Sequence, residues 1–220
     1  MPRQAAPAPT PEVTPVVTVV GIGNPVMGDD GIGLELLHRL VALSPAASPH
    51  PATALIDDSS AHQPSAGDST HLVWNSSHLA NPESMDARTE PAAAAVAYID
   101  GGTCGMELLP LIQDAKNLLL LDALAGPGKP GDVVKLVGDQ IPRLLAAKLS
   151  AHQVGLLDLL TAARLLGREP ERVGVVGVVY ESAEMVVQLS DKALGGVAAA
   201  VPVAQELIEQ WLAEEERNQQ

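Results

Sequence analysis

Residues Val16 to Gly33 read VVTVVGIGNPVMGDDGIG. The stretch opens as an aliphatic run with no polar alternation. It then breaks into a loop holding two glycines, an asparagine, a proline and two adjacent acids. It ends where an amphipathic pattern begins, with apolar residues at Ile32, Leu36, Leu37 and Leu40. This is the pattern of a buried strand over Val16 to Val20, a tight loop, and a helix over Ile32 to Leu43. Glu35 early and Arg39 late in that helix suit its dipole. In an open α/β sheet a loop of this kind lies beyond the carboxyl end of a strand, where such folds hold their ligands. Asp29 and Asp30 stand in that place.

The rest of the chain extends the pattern. AVAYID, ending at Asp100, predicts a second strand, followed by the glycine turn of Gly101 to Gly105 and a short helix over Met106 to Asp114. NLLLLD, Asn117 to Asp122, is too apolar to be half exposed and predicts a central strand. The turn cluster of Gly126 to Asp132 leads into Val133 to Val137. So short a link cannot make a parallel crossover, so this strand is expected to be antiparallel and near an edge. Ile141 to Lys148 reads as a helical turn or two. Ser150 is placed to cap a helix running to about Leu166, with Gly167 and Pro170 as stop signals. VGVVGVV, Val173 to Val179, is the last buried strand. The final helix, about Lys192 to Glu216, is capped by Ser190 or Asp191 and contains Pro202, where a kink is expected. Helices alternating with buried strands predict a three-layer α/β/α sandwich around a twisted, mostly parallel five-stranded sheet with one antiparallel edge strand.

Two segments stand apart. Residues 1 to 15 are rich in proline and alanine and read as a disordered tail. From about 44 to 92 the chain is rich in Ser, Pro, Ala, Asn and His with no sustained period. A compact domain rarely contains roughly 50 residues of structureless connection, so this reads as a low-complexity insertion, largely mobile, within a single α/β domain spanning 16 to 217.

The formal net charge is −14 over 220 residues, which argues against nucleic acid and anionic membrane surfaces as partners. A single cysteine, Cys104, excludes an internal disulfide framework and suits a reducing cytosol. No stretch reaches the roughly 20 apolar residues of a membrane span, and the amino terminus lacks a signal-peptide pattern. A cytoplasmic protein is expected.

Several chemistries compete for the first loop. GIGNPVMG carries the first two glycines of G-x-G-x-x-G, but Val26 replaces the third, and Asp29 and Asp30 put negative charge where phosphates would sit. A nucleotide site is therefore disfavoured. Either acid could simply cap the first helix. Asp122 differs, because it ends a run that should be buried, where a carboxylate is costly unless paired or ligated. Asp100 is explained by turn formation ahead of Gly101-Gly102. His152 falls in the first turn of a helix, where the dipole disfavours its protonated form and leaves a neutral imidazole able to bind metal. His38 reads as surface. His50, His62, His71 and His78 are irregularly scattered in the insertion and read as solvated. One acid of the first loop, Asp122 and His152 could together leave open positions on a divalent metal such as zinc or nickel. There is no G-x-S-x-G elbow. Cys104 as a nucleophile with His152 as base lacks an evident orienting group, and a small residue in a glycine turn explains it better.

Four stretches taken together, GIGNPVMGDDGIG (21 to 33), DGGTCGMELL (100 to 109), LLLLDALAGPGKPG (118 to 131) and SAHQVGLLDLL (150 to 160), resemble the nickel-iron hydrogenase maturation endopeptidases. VGVVGVVYES (173 to 182) extends the resemblance. It implies an α/β/α sandwich and a metal site in which Asp30, Asp122 and His152 are both the metal ligands and the catalytic residues. Gly21, Gly23, Asn24 and Asp29 would be its supporting loop. The family often has Glu where Asp30 stands. The implied activity is removal of a C-terminal peptide from the hydrogenase large-subunit precursor after nickel insertion. Nickel would be carried by the substrate, no organic cofactor would be needed, and a monomer would suffice. Both a metal-polarised carbonyl or metal-activated water and general-base action by a carboxylate fit these residues. A metal-sensing or chaperone-like module that binds the precursor without cutting it is the competing reading.

Overall fold

The computed structural model describes residues 14–44, 50–51, 95–126, 128–141 and 151–220. The side chains of residues 50–51 and 151–157 lie outside that description. In chain order the elements are β1 (Val17–Ile22), a 3-10 turn (Gly28–Gly31), α1 (Ile32–Leu43), β2 (His50–Pro51), β3 (Val96–Gly102), a second 3-10 turn (Met106–Leu108), α2 (Leu109–Asp114), β4 (Asn117–Leu124), β5 (Val133–Val137), α3 (Ala151–Leu165), β6 (Arg172–Val179) and α4 (Asp191–Asn218).

Among the described residues the strands form one sheet in the order β2-β3-β1-β4-β6-β5. Every pair is parallel except β5 with β6. The expected mixed sheet with one antiparallel edge strand is therefore present, with a correction. His50 and Pro51 pair with Ile99 and Asp100 as a sixth, two-residue strand inside the stretch read as a largely mobile insertion. So short a strand, ending in proline, leaves no periodic trace. Residues 1–13, 45–49 and 52–92, the Ser150 cap, and the turns after Ile141 lie outside the described residues.

Alternation along the strands divides the core between two faces. Val17, Val19, Leu119, Leu121, Val176 and Val178 pack with Leu36, Leu37 and Leu40 of α1 and with Val197, Ala204 and Trp211 of α4. Val20, Leu118, Leu120, Leu124 and Val175 pack on the other side with Ile112 of α2 and Leu159 and Ala163 of α3. This is the three-layer sandwich. Helix α3 ends in a Schellman motif: Gly167, at φ +68°, donates to Arg164 O, and Arg168 N–H donates back to Ala163 O at 2.9 Å. Helix α4 starts at Ser190, whose hydroxyl accepts from Ala193 N–H at 3.1 Å. It runs on past Pro202, and its far end is tied to the sheet by ion pairs of Glu215 with Lys116 and Glu214 with Arg172. No helix among the described residues is long and apolar enough to cross a membrane.

Candidate active site

β1 has β3 on one side and β4 on the other, so successive connections run in opposite directions from it. The carboxyl ends of β1 and β4 thus border the crevice at the topological switch point, the usual ligand site of an open α/β sheet. The first loop leaves β1 at this crevice. It can turn because Gly23 has φ +143°, and a Cβ there would fall 2.0 Å from Asp30 O. Asn24 braces the turn, its Oδ1 accepting from Val26 N–H at 3.1 Å and its carbonyl from Met27 N–H at 3.1 Å. The third glycine of the nucleotide pattern is missing, but its packing role is not. A Cβ on Gly33 would fall 2.2 Å from Ile22 O and 2.3 Å from Leu121 O, so α1 starts in direct backbone contact with β1 and β4.

The two acids of the loop part company. Asp29 is buried, and its carboxylate accepts from Ser190 N–H at 2.7 Å, Ser190 Oγ–H at 2.9 Å and Glu181 N–H at 2.9 Å. Burial raises its pKa, but these hydrogen bonds prevail and hold it below the usual carboxylate range. Neither acid caps α1: the helix is preceded by Gly31 with no side-chain cap, because the 3-10 turn displaces both acids from that position. Asp29 instead supports Ser190, the cap of α4. Asp30 is half-buried, and its Oδ2 accepts from Asn24 N–H at 3.0 Å.

Asp122 lies one residue beyond Gly21↔Leu121, the last pairing of β1 with β4, opposite Gly177 of β6. It is buried, with Ala123 N–H donating to its Oδ1 at 2.8 Å. Burial pushes its pKa up, the Ala123 bond pulls it down, and the Asp30 charge pushes it up again, to about 8. The Asp30 charge thus bears on Asp122 at the β1/β4 crevice.

α3 leads by a short turn into the amino end of β6, so it runs opposite to that strand. Its 15 residues, roughly 22 Å of helix, bring Ala151 and His152 back to the carboxyl end of the sheet. α3 lies on the face carrying Leu120 and Leu124, which by alternation is also the face of Asp122. The imidazole of His152 is outside the described side chains. Among the described residues no three His, Cys, Asp or Glu side chains come together as a metal-ligand group.

The rejected candidates have physical explanations. Asp100 Oδ1 accepts from Gly102 N–H at 2.9 Å, closing the turn after β3. His38 is exposed on α1. Burial, Glu107 and Asp100 push the Cys104 thiol pKa up, which disfavours a thiolate nucleophile. A cavity of about 380 Å³ lined by Asp139, Arg164, Glu171 and Arg172 lies at the amino end of β6, away from the acids. What the sequence does not reveal is the partner of Asp29. The segment YESAEMVVQLS carries no regular period, and its contact with the first loop spans 161 residues.

Residues 82–211 match the family described as hydrogenase maturation protease. The chain is 40% identical over 90 residues to the Hydrogenase 2 maturation protease of Escherichia coli, a match covering 40% of this chain and 55% of that protein. It is 37% identical over 162 residues to the hydrogenase expression/formation protein HupD of Rhodobacter capsulatus, covering 73% of this chain and 55% of the relative. The chain thus spans about half the length of these relatives. Its fold is that of the hydrogenase maturating endopeptidase HybD from E. coli, with TM-score 0.61 at 24% identity, over 88% of this chain and 92% of that one. With its sandwich fold and more than half of its sequence matched, the chain belongs to the hydrogenase maturation protease family.

Proposed function

We propose that this chain is the endopeptidase that removes the C-terminal extension of a nickel-loaded hydrogenase large-subunit precursor. Asp30, Asp122 and His152 are the residues that meet the substrate's nickel and carry the hydrolysis. The observation that carries the reading is the pair of carboxylates at the β1/β4 switch point, Asp30 half-buried and Asp122 buried beside it. A divalent cation brought by the substrate would relieve both the repulsion between these two carboxylates and the cost of burying Asp122. Oxygen and imidazole donors suit nickel. On this reading the metal is cargo, no organic cofactor is needed, and the protein works as a cytoplasmic monomer.

The test is incubation of the purified chain with nickel-loaded precursor, followed by mass measurement of the large subunit. Loss of the C-terminal tail is expected. Asp30→Ala, Asp122→Ala and His152→Ala should each slow that loss by roughly a hundredfold or more. If all three variants cut normally, the assigned site is wrong. If the wild type binds the precursor and leaves its mass unchanged, the chain is a binding module instead.

A further inference from the structure

The segment following β6 exposes aliphatic side chains beside the acids. Met185 is 84% exposed, Val187 77% and Val186 47%, and Val26 on the first loop is 49% exposed. Isolated apolar residues are ordinary on a surface, but a grouped set held in place is not. This set is held. Gly28 N–H donates to Val186 O at 2.6 Å, Asp29 N–H donates to Ser182 O at 3.2 Å, and Val186 N–H donates to Glu184 O at 2.8 Å. The Asp29 carboxylate fixes both ends of the segment through Glu181 and Ser190. The segment therefore packs on the first loop at Gly28 and Asp29, directly before Asp30 in the chain.

Charge identifies what fits there. The rim carries the exposed Glu184, while the Glu181 carboxylate is engaged by Lys192. A second copy of a chain with net charge −14 would bring like charge to this rim. An extended peptide with aliphatic side chains and a basic residue would match both features. We propose that Val26, Met185, Val186 and Val187, with Glu184, form the surface that seats the precursor segment flanking the scissile bond and selects which precursor is accepted. This rests on the endopeptidase reading above.

The experiment compares the wild type with a Met185→Ser/Val187→Ser double variant on nickel-loaded precursor, measuring precursor binding and tail removal together. Both side chains are mostly exposed, so folding is preserved. Leu165→Ser, at an 83% exposed position at the far end of α3, is the matched control and should behave as wild type. The double variant should raise KM about tenfold, the size expected of truncated anchor residues, with the loss falling on KM rather than kcat. Glu184→Lys should raise KM further at low salt. An unchanged KM and Kd in the double variant would overturn the docking surface while leaving the endopeptidase reading intact. Binding without cutting by the wild type, weakened tenfold in the double variant, would keep the surface and overturn the endopeptidase. Neither binding nor cutting by the wild type would overturn both.

Discussion

Asp29 and Asp122 are each only 2% exposed, yet Asp122 lies deeper and their surroundings drive their protons in opposite directions. Three donors surround Asp29 and keep it ionised. Asp122 has the Ala123 N–H and a like charge on Asp30, and its pKa rises from 3.8 to about 8. The consequence for stability follows from linkage. Between pH 4 and 8 the folded chain holds a proton on Asp122 that the unfolded chain has lost. The stability tied to that proton is complete below the unfolded pKa and disappears as pH rises through about 8. Asp122→Asn cannot ionise. In the presence of chelator it should melt higher than wild type at pH 9, show a smaller Tm difference between pH 6 and 9, and still fail to remove the precursor tail. Equal pH slopes in thermal melts would refute the burial argument. The sequence exposes Asp122 because an acid closing a run of leucines is conspicuous. The local pattern alone does not separate Asp29 from Asp30, which only the family resemblance tells apart, because the partners of Asp29, Ser190 and Glu181, are remote in the chain.

At the scale of elements, β1, β4 and β6 are legible because strands covered on both faces read as unbroken apolar runs. The antiparallel direction of β5 is legible from the short link that precedes it. Its neighbour is not: β5 pairs with β6 rather than with β4, and nothing local encodes a partner that arrives later in the chain. Gly195 and Gly196 in α4 show how far position outweighs residue type. A Cβ on Gly195 meets nothing within 4 Å, whereas one on Gly196 would lie 2.3 Å from Val178 Cγ1 and 2.7 Å from Gly131 O. Gly195→Ala should therefore stabilise the protein by about 0.5–1 kcal/mol through helix propensity. Gly196→Ala should destabilise it by about 1–3 kcal/mol, because α4 must lift from the sheet. Urea titration of the two variants decides it, and a matching sign for both would contradict this packing.

For the whole molecule, the two cores share one sheet, so each face is expected to fail with the other. Trp211 is buried against Gly174 on one face and Leu159 lies in the core of the other. Trp211→Ala should cost about 3–5 kcal/mol and Leu159→Ala about 2–5 kcal/mol. Each variant should still unfold in a single transition with coincident near- and far-ultraviolet circular dichroism. A biphasic melt for either would mean that residues 16 to 217 do not form one cooperative domain.

The bond from Asp29 to Ser190 also sets an order of events in the life of the chain. Its ends are 161 residues apart, and at a synthesis rate of about 5–20 residues per second they leave the ribosome roughly 8 to 32 s apart. A nascent chain that has completed β1, β3 and β4 already has both acids of the crevice but not the segment that fastens beside them. The wall that residues 181 to 190 add to the first loop is thus built only after β1, β3 and β4 are made, and no fragment ending before Ser190 has it complete.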